Sequence, residues 1–150
     1  DIEGLSPFIG IGYRQLYDNS GGTVTSTGAL GYDRRSQYLY VPVGVMANIS
    51  DELLFKGQYN HFLSGKQTSY LSNAVSVCND IDNTQDEGYG FDAAFIYKMS
   101  EKFTLFSYYR FWDIEDSRSA NIVCAGSVAA SGLEPKNTTT EIGVGVSLRF

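Results

Sequence analysis

One histidine, two cysteines and a dense acidic run are the residues of this 150-residue chain whose types could do chemistry. Hydrolysis by a serine needs a base within hydrogen-bond reach of the nucleophile and a third group to orient that base. Two residues beyond His61 stands Leu63, so the His-x-Ser spacing is absent; Ser107 shares the outward parity of His61, and Ser64 opposes it. The run Asn79-Asp80-Ile81-Asp82-Asn83-Thr84-Gln85-Asp86-Glu87 offers hard oxygen ligands of the kind Ca²⁺ takes. It departs from an EF-hand loop at Gln85, where the sharp turn wants glycine, and at Phe91, where a bidentate glutamate belongs. A solvated loop fits it better. Gly10 and Gly12 imitate a dinucleotide loop, but no helix follows them. There is no Cys/His cluster of zinc spacing and no phosphate loop. The expectation is a chain that is no enzyme and carries no metal or cofactor.

Composition narrows the class further. A net charge of −6 with no clustered basic stripe excludes general nucleic-acid binding. Eleven Tyr, nine Phe and sixteen Gly in a Leu-poor chain favour β-structure over a helical bundle. No run approaches the roughly 18 apolar residues a membrane helix requires, whereas strands of about 9–11 residues could cross a bilayer. Residues 1–150 make one domain by size. The chain begins at Asp1 with no Met and no apolar signal segment, as a mature secreted form or a fragment would. Cys78 and Cys124 both fall in polar stretches. An oxidising compartment would pair them; elsewhere they are two separate thiols.

The elements that must position these residues are six segments of period-two alternation, each with an apolar face and a polar or small one. They span about Pro7 to Asp18, Tyr38 to Ile49, Leu53 to Tyr70, Tyr89 to Met99, Phe103 to Ile114, and Thr138 to Phe150. Pro42 lies inside the second and should disturb its pairing. In the fifth, Phe106, Tyr108 and Trp112 blur the alternation. Ser50-Asp51-Glu52 and Ser100-Glu101-Lys102 read as tight turns, and residues 19–37, 71–88 and 115–137 as long polar loops. Asn121 to Cys124 is the best candidate for a further short strand. Short turns at one end and long loops at the other are the pattern of an outer-membrane barrel.

The apolar faces are almost free of charge, and aromatics stand at their ends: Tyr13, Tyr17, Tyr89, Phe103 and Phe150. Such residues suit the interfacial girdles of a bilayer. The opposite faces collect Arg14, Asp18, Lys56, Asp92, Lys98, Arg110, Glu141 and Arg149, mixed in sign and interspersed with glycine. Turned inward, these would close a narrow lumen by ion pairs. A soluble, lipocalin-like barrel would instead bury the Val and Phe face and show the charges to water.

The last segment ends Ile142-Gly143-Val144-Gly145-Val146-Ser147-Leu148-Arg149-Phe150. It resembles the closing strand of bacterial outer-membrane barrels, which implies that Ile142, Val144, Val146, Leu148 and Phe150 form the signal read by the barrel-assembly machinery. Ser6 to Arg14, followed by Gly31 to Gly44, resembles the middle of small proteobacterial outer-membrane proteins of unassigned role. That resemblance covers most of the chain and names no activity. It implies further strands before this segment. The fold expected is therefore all-β, an antiparallel up-and-down transmembrane β-barrel with six strands visible and eight to ten when complete.

The expected place is the bacterial outer membrane, with outer-membrane lipid and the barrel-assembly machinery as partners, and an envelope protein or a second copy as a further one. A structural or surface-interaction role through the long loops comes first. A narrow pore lined by Arg14, Lys56, Lys98, Arg110 and Arg149 comes second. A lipid-modifying enzyme, like the outer-membrane deacylases that use a lipid-facing His and Ser, comes third.

Overall fold

The computed structural model describes residues 4–149, which form strands, turns and one short 3-10 turn at Leu71–Asn73, with no α-helix among them. β1 (Leu5–Ile9) and β2 (Gly12–Asp18) lie end to end along β3 (Asp33–Asn48). Their break, at Gly10 and Ile11, lies beside Pro42, which has no N–H to give its neighbour. Gly10 N still donates to Pro42 O at 3.0 Å. β4 (Leu53–Tyr70) pairs with β3 along its length and holds one extra residue, Leu63, where Leu39 opposes Ser64 and Tyr40 opposes Phe62. A bulge of this kind strengthens the local twist.

On the other side of β4, β5 (Ile81–Gln85) pairs with residues 65–69 and β6 (Gly88–Lys98) with residues 53–61. β7 (Phe103–Ile114) follows β6, and β10 (Asn137–Leu148) follows β7, all antiparallel. β8 (Ala120–Cys124) and β9 (Ser127–Gly132) make a separate hairpin. Its two-residue turn, Ala125 at φ 50 and Gly126 at φ 80, uses the left-handed region that such turns require.

The tight turns are built twice from the same part. Ser50 Oγ accepts from Glu52 N and Leu53 N at 3.3 and 3.2 Å, and Ser100 Oγ accepts from Lys102 N and Phe103 N at the same two distances. A serine opening the turn supplies the acceptor that the reversing backbone needs.

The main sheet is thus an up-and-down meander of six long positions whose two edges, β1/β2 and β10, stay unpaired with each other. Among the described residues it is not a closed barrel. It is nonetheless strongly curled, because side chains from distant strands meet across its concave face. Tyr40 of β3 and Trp112 of β7 are edge to face at 4.9 Å, with β4 and β6 between their strands.

Burial is inverted relative to a water-soluble domain. The buried apolar cluster, Tyr38, Phe62, Trp112 and Ile114, is small and lies with buried Asn60, Gln67 and Gln85. The long apolar rows face outward on the convex side, from Ile9, Ile11 and Tyr13 round to Ile142, Val144, Val146 and Leu148. The accessible surface is 9642 Å², against about 7,600 Å² for a compact soluble monomer of this mass.

Candidate functional site: the concave face and its outer rim

The strand parity puts Arg14, Asp92, Arg110 and Glu141 on the concave face, and the curl brings all four together. Arg14 Nη2 pairs with Glu141 Oε1 across the gap between β2 and β10. Arg110 Nε donates to Asp92 Oδ1 at 2.6 Å, and its Nη1 to Glu141 Oε2 at 3.3 Å. Asp92 Oδ2 also accepts from Gln58 Nε2 at 3.1 Å and from Asn60 Nδ2. Two arginines and two acids thus neutralise one another, and two amides take up remaining acceptor capacity, which is the condition for keeping charge inside a protein. Arg14 is the deepest of them, its side chain 9% exposed.

The other concave-face charges stand apart. Asp18 lies at the outer rim, where Arg34 Nε and Nη2 both donate to its Oδ2, at 3.1 and 2.7 Å. Lys56 sits over the Phe8 ring at 4.9 Å. Lys98 and Arg149 line a cavity of about 680 Å³ at the tight-turn end, together with Lys102. The eight charges read from the sequence therefore divide into a central network of four, Asp18 at the rim, and three cations toward the turn end.

Outward of the network lies an aromatic layer. Arg14 Cζ is 5.4 Å from the Trp112 ring, which also meets Tyr38 at 6.1 Å and Tyr40 at 4.9 Å. Tyr38 in turn meets Phe62 edge to face at 5.7 Å. Glycines on neighbouring strands make room for these rings. A Cβ on Gly12 would lie 2.2 Å from the Tyr40 ring, on Gly90 2.8 Å from Trp112, and on Gly143 2.5 Å from Tyr108. Trp112 Nε1, Arg14 Nη1 and Gln85 Oε1 are buried without a partner among the described residues.

The outer loops are tied rather than loose. Cys78 and Cys124 form a disulfide joining the segment after β4 to the β8–β9 hairpin. The acidic run is partly strand β5, and its carboxylates go to separate partners. Asp80 accepts from Ser72 at 2.7 Å, Asp82 pairs with Lys66 at 2.8 Å, and Asp86 with Arg118 at 2.6 Å. Among the described residues no group of His, Cys, Asp and Glu gathers as a metal site. Asn121 to Cys124 is a strand, but in the separate hairpin and not in the main sheet.

The convex face carries the residues read as lipid-facing. Tyr59 and Phe91 meet at a tilt at 5.3 Å, as do Phe55 and Phe95 at 5.2 Å and Tyr89 and Phe111 at 6.0 Å, each pair bridging adjacent strands. Ile142, Val144, Val146 and Leu148 point outward along β10; Phe150, the last member of that series, lies outside the described residues. His61 opposes Tyr89, whereas Ser107 opposes Phe95 six residues along β6. That offset is about 20 Å at strand rise, so these two side chains do not form a nucleophile–base pair.

Sequence reasoning missed Arg34, Gln67 and Glu134, which assemble at the outer rim. Arg34 falls in the stretch read as a long loop, whereas β3 already begins at Asp33; Gln67 lies in the third segment beyond its apolar pattern, and Glu134 lies in the connection before β10. No protein-family model and no curated protein matches this chain.

Proposed function

We propose that this chain forms most of a bacterial outer-membrane β-barrel, inserted by the barrel-assembly machinery, with a non-enzymatic structural or surface-interaction role carried by its disulfide-tied outer loops. The observation that carries the reading is the inverted burial. The convex face is a continuous apolar and aromatic surface, while the buried groups of the concave face are largely polar or ion-paired. An exposed apolar surface of that extent marks an interaction surface or a liability in water and is the normal exterior of a membrane barrel.

The open seam belongs to the same reading. The edges β1/β2 and β10 run in opposite directions, so an even number of antiparallel strands closes the sheet. Two would give eight, the smallest number of single-chain bacterial barrels. Edge strands left unpaired in lipid would hold unsatisfied backbone groups at several kcal/mol each, which favours closure. Phase partition in a cloud-point detergent tests the membrane assignment. The protein should leave the aqueous phase, and quantitative retention in water without detergent would overturn it.

A second reading, a narrow pore, draws on the cations Lys98, Lys102 and Arg149 around the cavity at the turn end. The Arg14–Glu141–Arg110–Asp92 network argues against an open path through the centre. Steady single-channel conductance in planar bilayers would favour the pore, and silence the plugged lumen.

A further inference from the structure

The cations that pair with carboxylates, Arg14, Arg34, Lys66, Arg110, Arg118 and Lys136, all lie at the central network or outward of it. At the tight-turn end Lys98, Lys102 and Arg149 have no ion pair among the described residues, and they wall one cavity of about 680 Å³, within the range of small-molecule sites. Thr104 opposes Lys98 on one side and Ser147 on the other, so the three stand abreast across β6, β7 and β10. Arg149 N donates to Lys102 O at 2.9 Å, which holds the other two cations together. Glu101 is the carboxylate of the wall; Asp51 and Glu52 belong to the other tight turn and do not line the cavity. Three cations against one carboxylate leave an excess of two positive charges. The remaining lining groups are hydroxyls. Ser100 Oγ accepts from Lys102 N and Phe103 N, which leaves its own proton to donate. Thr104 and Ser147 make no side-chain hydrogen bond among the described residues. A wall of cations and donors with one carboxylate is the complement of an anion with several oxygens.

We propose that this cavity binds a small organic phosphate monoester. Its phosphate carries close to two negative charges above a second pKa of about 6, which matches the excess. Its oxygens accept from the ammonium and guanidinium heads in charge-assisted bonds, and from the hydroxyls. The volume is larger than a bare phosphate fills, and hydroxyls on the organic part can donate to Glu101. A monocarboxylate brings one charge and two oxygens, and leaves the wall half compensated. The ion-paired network outward of the cavity makes it a recess that holds the solute. The site depends on the concave face and not on whether the convex face meets lipid.

The test is calorimetric titration of the whole chain in micelles of an uncharged detergent, above pH 7 and at low salt, with glucose 6-phosphate, gluconate and glucose. Glucose 6-phosphate should bind saturably and at least about tenfold more tightly than gluconate, and glucose should not bind. Lys98→Gln and Arg149→Gln should each weaken glucose 6-phosphate about tenfold. Lys136→Gln, which removes an ammonium already ion-paired at the outer end, should bind as the native chain does. Far-ultraviolet circular dichroism confirms that each variant keeps its sheet. No saturable binding of glucose 6-phosphate, equal binding of gluconate or glucose, an unchanged affinity in either Lys98→Gln or Arg149→Gln, or an equal loss in Lys136→Gln would overturn the proposal. Phase partition reads the convex face and this titration the concave one, so each can fail without the other.

Discussion

Arg14 of β2 and Glu141 of β10, on opposite edges of one open sheet, form an ion pair across its concave face. The pair fixes the curl more directly than any backbone hydrogen bond, since those edge strands share none. Arg14→Ala should destabilise the protein by about 1–3 kcal/mol, because it leaves Glu141, still partly open to solvent, to share Arg110 with Asp92. The double variant Arg14→Ala/Glu141→Ala should lose less than the two single losses added together. Urea unfolding in micelles, followed by Trp112 fluorescence, measures all three. Strict additivity would show that the pair is not coupled.

The aromatic layer depends on glycines that cannot be enlarged. At Gly12 an added methyl would enter the Tyr40 ring, which must then leave its edge-to-face contact with Trp112. Gly12→Ala should cost about 1–3 kcal/mol by overpacking and flatten the near-ultraviolet circular dichroism of the tryptophan. Gly126→Ala strains its own turn, where φ is 80, but a Cβ there meets nothing within 4 Å, so that spectrum should stay unchanged.

The same glycines explain what the sequence could and could not reveal. Six alternating segments were legible because apolar residues of the convex face recur at every second position, as in Ile142 to Leu148. The fifth segment read as blurred because Phe106, Tyr108 and Trp112 are aromatic and face inward. Their space comes from Gly145, Gly143 and Gly90 on neighbouring strands, a pairing no single segment displays. β5 and β9 were hidden for another reason. Ile-Asp-Asn-Thr-Gln and Ser-Val-Ala-Ala-Ser-Gly are too short and polar to show a face, and pairing alone defines them. Of the site, the charges of one parity were visible, but only the curl selected four of the eight as a network.

Reducing the Cys78–Cys124 bond should loosen the outer loops and spare the sheet. The bond closes a span of 46 residues, a constraint of up to about 4 kcal/mol in the chain-entropy model. Limited proteolysis of the reduced protein should nick near residues 71–80 or 120–132. The strands β3, β4, β6, β7 and β10 should stay protected. Cleavage inside β6 or β7 at the same rate would show that the bond also holds the sheet.

Burial pushes the Glu134 carboxyl above its ordinary value of 4.5, with Arg34 opposing the rise. Asp18 and Tyr38 line the same outer-rim cavity as Glu134. The folded state then holds this proton more tightly than the unfolded one, so the Glu134 contribution to stability falls as pH rises through the unfolded and then the raised folded value. Glu134→Gln should remove that component. The difference in unfolding midpoint, variant minus native, should grow in the variant's favour from pH 4 to pH 7. A difference that is constant or shrinks across that range would contradict the burial argument.

The orientation of the two faces is the central claim, and the single tryptophan allows a direct measurement of it. The protein is reconstituted in vesicles whose acyl chains carry bromine, which quenches indole only at contact. Native Trp112, 1% exposed and facing the concave interior, should keep its emission. A Phe95→Trp variant in a Trp112→Phe background, which moves the indole to the convex face, should be strongly quenched. Strong quenching of Trp112 together with unquenched emission at position 95 would mean that the convex face does not meet lipid.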